Sequence, residues 1–118
     1  KQQKSAGELT FFRASWIADY PDGENYMACF FGPNKAPNGP NYTRYSNHNF
    51  DLAYDSLINT SDIFEKEKLI SKMENKLRND QPFILLYYDE SVWLKNKKVE
   101  QVKINPLNHL DLKSAYIK

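Results

Sequence analysis

An α/β fold is predicted by three observations. Apolar residues recur at helical spacing through Phe50, Tyr54, Leu57 and Ile58, and again through Leu69, Ile70, Met73 and Leu77. Short runs of β-favouring residues flank these stretches, at 9–17, 83–88 and 99–104, and turn sequences rich in Pro, Gly, Asn and Asp separate them. The order is β-α-α-α-β-β, which is incomplete as a closed fold. The size prior makes 118 residues one unit, able to bury roughly 65% of its unfolded surface if it folds alone.

Residues 1–8 are polar and are expected to fray. Residues 9–17 read as a strand that breaks at Tyr20-Pro21-Asp22-Gly23, where proline presets φ at the first turn position and glycine tolerates the conformations after it. A helix is predicted over 24–31 from Tyr26, Met27, Phe30 and Phe31, with Asp22 able to cap it and Glu24 suited to the positive end of its dipole. Gly32-Pro33 ends it. Three prolines and two glycines make 32–40 a surface loop.

Residues 41–47 bring the chain inward, with Tyr42 and Tyr45 reading as hinge or core packing. Ser46 or Asn47 then caps the helix carrying Phe50, Tyr54, Leu57 and Ile58. Asp62 with Glu65 resembles a capping box opening the next helix, where Glu74 and Arg78 can pair at i, i+4. That helix must end before Pro82, because the residue preceding proline is pushed out of the helical region. The apolar run 83–88 reads as a buried strand turned by Asp89-Glu90. Residues 91–95 and 99–104 read as further strands, and 110–117 can add one more.

Composition excludes several classes. With 16 basic and 15 acidic side chains the net charge is +1, which gives no pull toward nucleic acid or an anionic membrane. No apolar run approaches the ~20 residues a spanning helix needs. The lone Cys29 sits among Met27, Ala28, Phe30 and Phe31, where a buried inert thiol is expected, and it can form no internal disulfide. His48 and His109 lack metal-ligand spacing and lie near no nucleophile in a strained turn, so no metal, cofactor or nucleophilic triad is expected. Asp19, Asp22 and Glu24 could in principle flank a scissile bond as in a glycosidase, but all three occupy one turn, and a hydrolase is the weakest reading.

Three blocks are more specific. Trp16-Ile17-Ala18-Asp19-Tyr20-Pro21-Asp22, then Tyr42-Thr43-Arg44-Tyr45-Ser46-Asn47 running into Phe50-Asp51, then Gln81-Pro82-Phe83-Ile84-Leu85-Leu86-Tyr87-Tyr88 together resemble the C-terminal part of the extracellular solute-binding proteins of family 5. These are the peptide-, dipeptide- and nickel-binding components of ABC importers, and the resemblance runs over residues 9–118. It implies that residues 1–118 are a C-terminal piece of the second lobe of a periplasmic binding protein-like (type II) fold. The chain starts at Lys1 with no leader, as an excised piece would. It further implies a periplasmic or cell-surface location, lipid anchoring through an N-terminus absent from this chain, and partners in an N-terminal lobe and a membrane permease. Dimerisation is open to the piece as a way of burying exposed apolar surface.

If residues 13–19 stay extended, Arg13, Ser15, Ile17 and Asp19 share one side, with Arg13 and Asp19 Cα atoms roughly 20 Å apart at ~3.3 Å per residue. That suits a zwitterionic ligand of about two to five residues lying along the strand by β-augmentation. The resemblance implies that Asp19 of the Trp-x-x-Asp motif holds the ligand's α-ammonium and that Arg13 can hold its carboxylate. Backbone groups near Ser15 and Ile17 would then pair with the peptide main chain. Trp16 reads as a pocket wall, with Tyr20 beside it. Each has a plainer reading: Asp19 as a turn cap, Arg13 as half of a structural ion pair, Trp16 as core. The implied function is capture of a short peptide by closure between two lobes, without bond making or breaking. An oligosaccharide or a nickel complex is the alternative ligand. Gly23, where many members carry proline, alters the turn rather than the site.

Overall fold

The structure, a computed structural model, describes residues 2–88, 90, 92–105 and 109–118. Its centre is a pair of packed helices, α3 (His48–Asn59) and α4 (Ile63–Asp80), preceded by the short helices α1 (Gln2–Ala6) and α2 (Glu24–Met27). Among the described residues four two-residue strands come after them: β1 (Val99–Glu100), β2 (Lys103–Ile104), β3 (Leu110–Asp111) and β4 (Tyr116–Ile117). β1 pairs antiparallel with β4 and β2 with β3, giving two separate ribbons. The chain is thus a mixture of helices and small sheets, compatible with part of an α/β fold.

Both main helices begin where their local chemistry dictates. The Asn47 side chain accepts the N–H groups of Asn49 and Phe50, and Asp62 accepts those of Phe64 and Glu65, so each cap satisfies donors the helix cannot. α4 stops at Asp80, and Gln81, in the left-handed region at φ 47°, donates its N–H to Leu77 O at 2.8 Å. Ion pairs of α4 among the described residues are Lys68–Glu65, Lys76–Asp80 and Lys66–Asp22 rather than the expected Glu74–Arg78.

Phe50, Ala53, Tyr54 and Leu57 of α3 meet Met73 and Leu77 of α4 and Met27 of α2 in one buried cluster, with Phe30, Phe31, Tyr45, Leu69 and Ile70 packed around it. Ile58, expected on this face, is exposed. At 100° per residue it lies at the edge of the stripe that Phe50, Tyr54 and Leu57 define, beyond what a single neighbouring helix covers.

The N-terminal residues expected to fray form α1. Gly7, at φ 79°, takes the left-handed conformation after it, and a Cβ there would lie 2.5 Å from Arg44 Cζ. Arg44 Nη2 in turn donates to Ser5 O at 3.1 Å. The helix expected over 24–31 is shorter: regular hydrogen bonding ends at Met27, and turns carry the chain to Phe30. The 32–40 loop holds a 3-10 turn (Gly32–Asn34), and a bridge between Lys35 and Asn41 closes it. Asn41, wholly buried, ties it: Nδ2 donates to Phe31 O at 3.0 Å and Tyr45 O at 2.9 Å, and Oδ1 accepts from Thr43 Oγ1 at 2.9 Å.

The largest correction concerns the strands. Residues 9–17, 83–88 and 92–95 join no ladder, and the 99–104 strand breaks at Gln101, at φ 55°, into β1 and β2. Asp89 and Ser91, assigned to a turn and a strand start, lie outside the described residues. A strand-forming sequence needs a partner for its N–H and C=O groups, and none of these segments meets one among the described residues. Many of their apolar side chains accordingly face outward, Phe11 being 85% and Leu94 97% exposed, while Phe83 stacks on Phe30. The shape agrees: the radius of gyration is 18.2 Å, against about 13–14 Å for a compact domain of this length, so one closed unit is not what forms. Among the described residues no helix is long and apolar enough to cross a membrane.

Candidate functional site

Asn25 organises the turn that comes after residues 9–17. Its Oδ1 accepts the Trp16 indole Nε1–H at 2.7 Å and the Asp19 backbone N–H at 3.3 Å, and its side chain is only 5% exposed. Met27 two residues later enters the core, so α2 is fixed and Asn25 with it. Glu24 performs the matching task one residue earlier. Its Oε2 accepts the Tyr20 hydroxyl, and its Oε1 accepts the Tyr54 hydroxyl of α3. The Tyr54 and Tyr20 phenols are both held above the ordinary tyrosine range, Tyr54 first by burial and then by Glu24, Tyr20 first by the Glu24 bond.

The N-cap of α2 is Gly23 rather than the expected Asp22, which lies one residue before it and still bonds the helix start. Asp22 Oδ1 accepts the Glu24 N–H at 2.9 Å and its Oδ2 pairs with Lys66 Nζ of α4 at 3.2 Å. The backbone bond to Glu24, then Lys66, holds its carboxyl below the ordinary carboxylate range against the opposing effect of burial. Since Asp22 makes the bond to the helix start, Asp19 has no such role. Its carboxylate is exposed and makes no hydrogen bond or ion pair among the described residues.

Trp16, Asp19 and Tyr20 are therefore brought together on α2. Arg13 stands apart from them. Its guanidinium lies 5.5 Å from the Tyr87 ring centroid and donates to the Tyr87 hydroxyl, tying it to the third block. With Ser15, Ala14 and Lys4 it lines a shallow, open cleft of about 320 Å³. No ion pair of Arg13 occurs among the described residues. Ile17 is exposed. Tyr45 donates to Asp80 Oδ2 at 2.6 Å and packs edge-on against Phe30 and Phe50, which makes it a packing residue, while Tyr42 lies beneath Lys4 Nζ at 4.1 Å.

Sequence reasoning missed Glu24 as an anchor and Asn25 altogether. The available signal was position: a helix starting directly after a turn places its first residues beneath that turn. Cys29, half-buried, has its thiol pushed up to about 11 by desolvation, then by Asp19 and Glu24. Among the described residues no group of three or more His, Cys, Asp and Glu side chains is placed to hold a metal ion. What the geometry provides is an exposed carboxylate whose main-chain N–H is held by Asn25, in the same turn as Trp16 and Tyr20, which Asn25 and Glu24 hold.

No family model matches the chain. Over 114 residues it is 26% identical to the dipeptide-binding protein DppE of Bacillus subtilis (strain 168), in a match covering 97% of this chain and 20% of that protein. The chain spans about a fifth of the length of the curated relative it matches.

Proposed function

We propose that this chain is a stretch of the second lobe of the substrate-binding component of an ABC importer, which captures short peptides outside the cytoplasmic membrane and delivers them to a permease. The observation that carries the reading is Asp19. Its main-chain N–H is held by Asn25, the bond to the start of α2 is made by Asp22, and its exposed carboxylate has no hydrogen-bond or ion-pair partner among the described residues. A carboxylate on an anchored main chain, unpaired among the described residues, is suited to meet a cation, and a peptide's α-ammonium is the cation the proposal assigns. The likeness to a dipeptide-binding protein supports the same ligand class. Arg13, off that cluster and anchored on Tyr87, serves the far end of the ligand, with main-chain groups near Ser15 and Ile17 pairing between. Closure of an opposing lobe over the ligand completes capture, because contacts to both lobes favour the closed state.

Calorimetric titration of the full-length protein with mixed di- to pentapeptides tests this, alongside Asp19→Asn and N-acetylated peptides. Loss of about 2 kcal/mol or more in the variant, and a similar loss for acetylated peptide on the native protein, is the expected scale for a buried charged hydrogen bond. Equal binding by both proteins would remove Asp19 from the site. If no peptide binds, the ligand class moves to oligosaccharides or metal complexes.

A further inference from the structure

We infer that Asn25 is the positioning residue of the ammonium anchor, so that ligand affinity depends on a side chain that never touches ligand. The inference rests on the peptide-binding reading above. One oxygen, Oδ1, accepts from both the Trp16 indole and the Asp19 main chain, at 2.7 and 3.3 Å. A shared acceptor ties the indole and the Asp19 main chain to one point of the fold: neither can shift without breaking its bond to Asn25, so the carboxylate is positioned through its backbone. The third member of the cluster is held from the adjacent residue, since Glu24 bonds both Tyr20 and Tyr54. α2 has only four residues and little stability of its own. Its rigidity comes from Met27 in the core and from Asp22 and Glu24, which tie it to α4 and α3.

Burial is the second argument. An asparagine 5% exposed is retained at a desolvation cost that its hydrogen bonds must offset, and both bonds from its oxygen go to the ligand-site residues Trp16 and Asp19. An apolar residue of similar volume would satisfy packing but would leave the indole N–H and the Asp19 N–H without an acceptor.

The test is made in the full-length protein labelled with 5-fluorotryptophan, the Trp16 resonance being assigned by its loss in Trp16→Phe. Asn25→Ala should shift or broaden that resonance without ligand and weaken peptide binding by about tenfold or more. Asn25→Asp retains the acceptor oxygens, so it should keep the resonance near its native position and recover affinity relative to Asn25→Ala. This rescue separates positioning from general packing; if Asn25→Ala fails to fold, Asn25→Asp is compared with the native protein, and a displaced Trp16 resonance with weakened peptide binding in a folded Asn25→Asp overturns the role of the acceptor oxygen. An unmoved Trp16 resonance with native affinity in Asn25→Ala, while Asp19→Asn still loses peptide, overturns the positioning role and leaves the peptide-binding reading standing. Native affinity in both Asn25→Ala and Asp19→Asn overturns the two together, as does the absence of peptide binding by the native protein.

Discussion

Asp22 and Lys66 join two elements that sequence separates by 44 residues: the carboxylate that accepts the Glu24 N–H at the start of α2 also pairs with a lysine on α4 at 3.2 Å. The turn bearing Asp19 is thereby bolted to the helical core. Because the Asp22 carboxyl is held below its ordinary range when folded, its contribution is present above the unfolded value near 3.9 and is lost as pH falls through the folded value. Asp22→Asn should therefore flatten the acid end of the stability profile below about pH 4. At neutral pH the loss should be roughly 0.5–1 kcal/mol, the low end for a side chain bonding a helix start because the pair is partly solvated. Urea midpoints at pH 3, 5 and 7 measure both. An unchanged acid limb would assign the bond no energetic weight.

The Cys29 thiol, pushed up to about 11 by desolvation, is almost wholly protonated at neutral pH and therefore a poor nucleophile. In the native chain at pH 7.5 it should react with a disulfide reagent at least about tenfold more slowly than in urea, where it returns toward an ordinary value near 8.5. Equal rates in the two states would mean that the thiol is not packed as described.

The two long helices were legible because their information is local. Asn47 and Asp62 announce the starts, Pro82 the end, and the stripe from Phe50 to Leu57 names its own buried face. The strand-like runs were legible only as preferences. Ile84, Leu85 and Leu86 favour extended backbone, but the partner that turns extension into a ladder is a property of the neighbour and is written nowhere in the run. The same division holds at the site. Asp22 could be read from spacing as a partner for the start of α2, whereas Glu24 and Asn25 gained their roles by reaching back to Tyr20, Trp16 and Asp19, and Glu24 also by reaching across to Tyr54. A polar side chain buried for reasons of tertiary contact leaves no period in the sequence.

Leu57 and Ile58 are neighbours on α3 with opposite fates, one with no exposed surface and one half-exposed. Leu57→Ala should cost about 2–5 kcal/mol, because it opens a cavity between Phe50, Met73 and Leu77. Ile58→Ala should stay within about 0.5 kcal/mol. Denaturant titration of both variants decides the helix orientation. A comparable loss at Ile58 would rotate the buried stripe.

Asn41 gives the sharpest test of the loop, since a single amide makes three side-chain bonds with no solvent access. Asn41→Ala leaves the carbonyls of Phe31 and Tyr45 without that donor, and the cost should be about 2–3 kcal/mol. Asn41→Asp keeps the acceptor for Thr43 but replaces the donating amide with oxygen facing two carbonyls, so it should be at least as damaging at neutral pH. Lowering the pH to about 4 should recover part of the Asn41→Asp loss, because a protonated carboxyl can donate to one of the two carbonyls. Tyr45 links the loop to α4 through Asp80, so the unfolding of both variants should remain one cooperative transition when followed by tyrosine signal and by helical signal. If the loop melts separately while α3 and α4 persist, Asn41 stabilises the loop alone, and Tyr45 does not couple it to the helical core.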